Sequence, residues 1–202
     1  MKGVLTLWIL LAGTAATAPV RAQEFDHLDV NGHRVATTHG LALRFTVPSQ
    51  LQALGETHFR ESYGGPSFDV SATAFASDSV LLAVHAETHT DGSGGLDYSE
   101  YPADTLAGWP LHSRIDCFDL REVAAEHVEG NGFLRFLHGA GFDFDRALVL
   151  KRHYLVNEEG TAEVVLSYGR TVDACGSGEV PPDVATEVSL ASRRAFADLQ
   201  PD

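Results

Sequence analysis

Lysine is almost missing from this 202-residue chain, where Lys151 is the only one beyond Lys2. With 14 basic residues against 28 acidic ones, no cluster exists that could neutralise phosphates, which argues against nucleic acid as a partner. An anionic membrane surface is disfavoured on the same grounds. After residue 22 no apolar run approaches the roughly 20 residues of a bilayer span. The sequence has no Cys-x-x-Cys pair, Gly-x-Ser-x-Gly elbow, Walker loop or dinucleotide fingerprint, so the common local signatures of redox, nucleophilic and nucleotide chemistry are missing. A dispersed triad or carboxylate pair leaves no such signature, and a hydrolase of that kind stays open.

Residues 1–22 carry a lysine at position 2, an apolar run from Val4 to Ala12 and a small-residue end at Val20-Arg21-Ala22. This is the order of a secretory signal peptide cleaved after Ala22. The expectation is therefore a mature chain of residues 23–202, one domain, periplasmic or secreted, with no membrane contact after cleavage. Cleavage removes two basic residues and no acid, moving the formal charge from −14 to −16. Cys117 and Cys175 are the only cysteines, and in an oxidising compartment an isolated pair reads as one disulfide.

The chain is organised about Arg146 to Arg170. Two β-branched, aliphatic and aromatic runs flank Asn157-Glu158-Glu159-Gly160, a break in which Gly160 can take the positive φ of a tight turn. A period of two puts Leu148, Leu150, Tyr154 and Val156 on one face of the first arm. In the second arm it groups Ala162, Val164, Leu166 and Tyr168, and both sets are expected on one common core side. Asn31-Gly32 predicts a hairpin, and Leu41 to Val47 alternates as a strand ending at Pro48. Ser49 to Leu54 reads as a short helix stopped by Gly55. Thr57 to Ser62 is a further strand, and Phe68 to Ala76 with Val80 to Thr90 a second long hairpin. Thr90 to Pro110 is expected to be irregular and mobile, since its Gly/Ser content cannot support a ladder. Leu111 to Phe118 follows as a strand. Asp119 and Glu122 open a helix through Glu129, and Phe133 to His138 forms another. Asp183 to Leu199 closes the chain as a helix. The fold class is α+β, a single domain of mainly antiparallel sheet with flanking helices and a C-terminal helix.

The run His39-Gly40-Leu41-Ala42-Leu43-Arg44-Phe45-Thr46-Val47-Pro48, followed by a helical turn, resembles the opening strand of PsbP/Mog1-like domains. That resemblance implies an α/β sandwich with an antiparallel sheet and a closing C-terminal helix. It carries no chemical motif and therefore no activity.

The chemically suggestive cluster is His85-Ala86-Glu87-Thr88-His89. On a strand His85, Glu87 and His89 share a face, and two imidazoles with a carboxylate suit zinc, iron(II) or copper. Same-face neighbours stand about 6.5–7 Å apart, so joint ligation needs a bulge or converging rotamers. The bland reading is a solvated strand end. Asp91-Gly92-Ser93-Gly94-Gly95-Leu96-Asp97 has calcium-loop oxygens without the calcium-loop spacing and reads as a flexible turn. Tyr98, Tyr101 and Trp109 add aromatic side chains to an acidic loop, a composition found at binding surfaces. The leading functional reading is a non-catalytic exported module, without a cofactor, that binds a protein or small ligand. The alternative is a metal-binding protein or metalloenzyme using His85, Glu87 and His89.

Overall fold

The computed structural model describes residues 25–62, 65–176 and 180–202. The expected signal peptide lies outside them. The hairpin expected at Asn31-Gly32 forms between β1 (Leu28–Asn31) and β2 (Arg34–Thr37), with Gly32, at φ 60°, and His33 as the turn residues. Next comes β3 (Leu43–Thr46). The helix expected over Ser49 to Leu54 does not form. A turn at Leu51 leads directly into the long strand β4 (Gln52–Ser62), which bulges between Ala53 and Gly55. Gly55, at φ 117°, marks a bulge rather than a helix stop.

The second long hairpin forms as β5 (Ser67–Ala76) and β6 (Val80–His89). The segment expected to be irregular shrinks to residues 90–102, because β7 (Ala103–Leu106) pairs with the start of β8 (Trp109–Asp119). Their two-residue turn places Ala107 at φ 49° and Gly108 at φ 89°. Asparagine or aspartate is the usual sign of this turn, and an alanine there gives no warning. Asp119 caps only a 3-10 turn over Leu120–Glu122, and α1 starts afresh at Ala125–Gly130, so the single expected helix is broken in two. Then come α2 (Gly132–Gly139), β9 (Ala147–Val156), β10 (Ala162–Val172), α3 (Pro182–Ala195) and β11 (Gln200–Pro201).

Among the described residues the strands make two antiparallel sheets, of order β1-β2-β3-β11 and β4-β5-β6-β10-β9-β8-β7. The small sheet and α3 cover one face of the large one, enclosing Phe45, Phe75, Leu82, Val84, Val164, Leu166 and Phe196. The other face carries Ala74, Leu81, Ala83 and Leu148 beneath Leu137, Phe136 and Phe144 of α2 and its following loop. With both faces covered, each arm of the central hairpin is apolar on both sides. Its register pairs Leu155 with Val164 and Leu150 with Gly169. Leu148, Leu150, Tyr154 and Val156 therefore face opposite to Val164 and Leu166, which corrects the expectation of a common side. Cys117 and Cys175 are disulfide-bonded, with Cα atoms 5.5 Å apart, joining β8 to the segment after β10.

Candidate functional site: buried carboxylates and imidazoles beneath a loop

Strand β6 sits between β5 and β10, so everything it carries is central. Its alternation sends Val80, Leu82, Val84 and Ala86 toward the small sheet and groups Leu81, Ala83, His85, Glu87 and His89 on the other face. That sharing of a face is as expected for the three polar residues. Their environment is not, because Glu87 is 2 % exposed and His89 8 %; these two are buried and His85 is half-buried, not a solvated strand end. Directly opposite Glu87 on β10 lies Glu163, also 2 % exposed.

The surroundings are aromatic and apolar. Phe133, at the start of α2, meets His85 with ring centroids 4.2 Å apart, and Phe68 meets His89 at 4.5 Å. Val70 and Val165 flank Glu87 and His85 from the neighbouring strands. The 90–102 loop lies over this face as a flap. Leu96 donates its N–H to the carbonyl of Gly160 in the central hairpin turn, and Gly94 passes so close that a Cβ there would stand 2.6 Å from the Glu159 carbonyl oxygen. Tyr98 stacks on Tyr154 at 4.2 Å, and its hydroxyl hydrogen-bonds Glu163. The stretch expected as a flexible turn is an Asx turn closed by Asp91 on the Ser93 N–H.

No lysine or arginine pairs with Glu87 or Glu163 among the described residues, and the basic side chain against Glu87 is the His85 imidazole. Burial, then the facing Glu87 carboxylate, pushes Glu163 up to about 8, against the opposing pull of the Tyr98 hydroxyl. The Tyr98 phenol is driven far above its usual value by burial and then by Glu163. His85 Nδ1 lies 3.2 Å from Glu87 Oε1 and His89 Nδ1 lies 2.7 Å from Ser93 Oγ. Four further atoms, His85 Nε2, His89 Nε2, Glu87 Oε2 and Glu163 Oε2, are buried with no hydrogen-bond partner among the described residues. A buried polar atom without a partner costs about 1–3 kcal/mol and asks for an explanation. In this arrangement no three His, Cys, Asp or Glu side chains among the described residues converge to hold a metal ion. A cleft of about 260 Å³ adjoins the cluster, lined by Leu96, Tyr98, His112, Tyr154 and Val156. Tyr98 lines this cleft and is also the side chain that interacts with Glu163.

A second polar group lies on the opposite face of the sheet. Lys151 Nζ is 3.3 Å from Asp104 Oδ2 and 2.8 Å from Ser113 Oγ. His153 Nε2 is 2.7 Å from Ser192 Oγ of α3, with Nδ1 3.9 Å from Asp104, and Arg193 pairs with the same aspartate. Burial alone would raise Asp104, but the Thr105 N–H, Ser113 and Lys151 outweigh it and hold the carboxyl at about 2. Burial, then the Lys151 charge, brings His153 down to about 4. Serine, histidine and aspartate are the residue types of a nucleophilic triad. Ser192, however, has no exposure and His153 only 1 %, and a hydroxyl sealed inside a helix packing face meets no substrate. This network fastens α3 to β9.

Sequence reasoning missed Glu163. The signal was present, since one acid interrupts an otherwise apolar strand at Ala162-Glu163-Val164. Period two places Glu163 on the face opposite Ala162, Val164 and Leu166, and that face is covered as well. Comparison of the chain with family models, curated proteins and solved structures gives no match in any of the three.

Proposed function

We propose that this chain is an exported, non-catalytic module that binds a small cation beneath the 90–102 flap. The observation that carries it is the facing pair Glu87 and Glu163, each 2 % exposed and without a lysine or arginine partner among the described residues. Two carboxylates side by side in a dry setting repel one another and are satisfied by a shared proton or by a cation. The net charge of −14 favours cation approach from a distance, and Tyr98, hinged on the flap and bonded to Glu163, is the group an entering ligand displaces. Export is supported by the pattern of residues 1–22 and by the Cys117–Cys175 bond, which persists in oxidising compartments. The resemblance of His39 to Pro48 to PsbP/Mog1-like domains is a proposal about fold alone and supplies no ligand. Nucleic acid and membrane partners are left aside on charge.

The test uses the mature chain, stripped with a chelator and probed with zinc chloride, calcium chloride, butylammonium and, as the anionic control, acetate. At about 100 times its dissociation constant a bound cation adds roughly 2.7 kcal/mol, a rise of about 5–10 °C in melting temperature for a chain of this size. The same cation should slow amide exchange at Leu96, and Tyr98→Phe should speed that exchange in the free protein. Equal indifference to all three cations would count against the reading.

A further inference from the structure

We infer that the ligand is a short aliphatic α,ω-diamine, one ammonium head taken by Glu87 and Glu163 and the other by Asp97 and Glu158 of the neighbouring cleft. The inference rests on the cation-binding reading above and names the chemical class of the cation. A metal ion does not suit the donors, because no three His, Cys, Asp or Glu side chains among the described residues form a group that could hold one. An ammonium asks for less convergence: it offers three N–H donors and is satisfied by carboxylate oxygens about 2.7–2.9 Å from its nitrogen. Glu87 and Glu163 each have one such oxygen to give. Glu87 Oε1 lies against His85 Nδ1 and Glu163 is bonded by the Tyr98 hydroxyl, while Oε2 of both is buried with no hydrogen-bond partner among the described residues.

The cleft of about 260 Å³ supplies the rest of the ligand's surroundings. Leu96, Leu111 and Val156 give it apolar walls, Asp97 and Glu158 stand among its lining, and no lysine or arginine does. Apolar walls accept methylenes and refuse a hydrated inorganic ion, whose water shell they cannot replace. Glu158 is exposed, and its carboxylate has no hydrogen bond or ion pair among the described residues. Asp97 accepts from the N–H and hydroxyl of Ser99, and each of its oxygens keeps a lone pair for a further donor. Tyr98 connects the two acidic ends. Its ring lines the cleft, stacked on Tyr154 at 4.2 Å, and its hydroxyl reaches Glu163. Turned off Glu163, it opens the way from the cleft to the buried carboxylates and sets its ring against the incoming ammonium, a favourable cation–π contact. A monoamine fills the inner end alone and leaves Glu158 and Asp97 unused, so the second head is what the cleft selects.

The experiment is calorimetric titration of the chelator-stripped mature chain, its disulfide intact, with the straight α,ω-diamines from propane to hexane, with butylammonium and with magnesium chloride. The expected result is one site for which the best-fitting diamine binds at least about tenfold tighter than butylammonium, with magnesium weaker than either. Glu158→Gln, at an exposed position that carries no packing, should remove most of that advantage and leave butylammonium binding unchanged. Glu163→Gln should weaken both amines, with circular dichroism checking its fold. Glu129→Gln, an equal change of charge at an exposed position of α1, should alter nothing, which separates the cleft from the overall negative charge. Equal affinity for diamine and butylammonium, a diamine affinity matched by magnesium, or one untouched by Glu158→Gln or Glu163→Gln would overturn this inference and leave the cation reading standing. Stabilisation by zinc or calcium without any response to an amine would do the same. Indifference to every cation would overturn the two together.

Discussion

Two buried titratable residues oppose each other in how they set stability against pH. His153, brought down to about 4 from an ordinary 6.5, is neutral in the folded protein but takes up a proton in the unfolded chain. Its contribution is fully present above pH 6.5 and is lost as pH falls toward 4, in all about 3 kcal/mol by linkage. Glu163, raised to about 8 from 4.5, runs the other way, with stability present below pH 4.5 and lost as pH rises through 8. The difference between the unmodified protein and His153→Gln isolates the histidine. Urea unfolding of both at pH 7.5 and pH 4.5 should show the variant less sensitive to acid by an amount of this order. Parallel profiles would mean that His153 is already protonated inside the fold.

At the scale of elements, the seat of α2 decides how Phe133 reaches His85. Gly132 opens that helix against Phe59 of β4, and a Cβ at position 132 would lie 2.3 Å from the Phe59 ring and 2.8 Å from its Cβ. The Glu61 carboxylate accepts the Gly132 N–H at 3.0 Å and holds the helix end in place. Alanine is the better helix former by about 1 kcal/mol, so propensity alone predicts that Gly132→Ala stabilises. The clash involves the root of the phenylalanine rather than a flexible tip, and overpacking of this kind costs about 1–3 kcal/mol. The expected net effect is a lower urea midpoint, with a smaller loss in a Phe59→Leu background. A gain in stability would show that α2 slides freely on the sheet.

For the molecule as a whole, the Cys117–Cys175 bond spans 58 residues that include α1, α2, β9 and β10. Chain-entropy reasoning gives closure of that loop about 4 kcal/mol, so reduction should lower the stability of the mature chain by up to that amount in urea titrations with and without reductant. The sequence by itself determined the hairpin turns at Asn31-Gly32 and Gly160, the disulfide, the α+β class and the closing helix, because turn chemistry and a lone cysteine pair are local or nearly unambiguous signals. It also brought His85, Glu87 and His89 to one face, since strand alternation needs no tertiary information. Local pattern failed where a glycine ended no helix at Gly55, and where Ala107 took a left-handed turn that residue type does not announce. The faces of β9 and β10, and with them Glu163, were decided only by tertiary structure. A strand covered on both sides is apolar on both sides, so period two no longer says which residues look inward. Register between β6 and β10, set by chain segments more than 70 residues apart, alone places one glutamate opposite another in a dry interior.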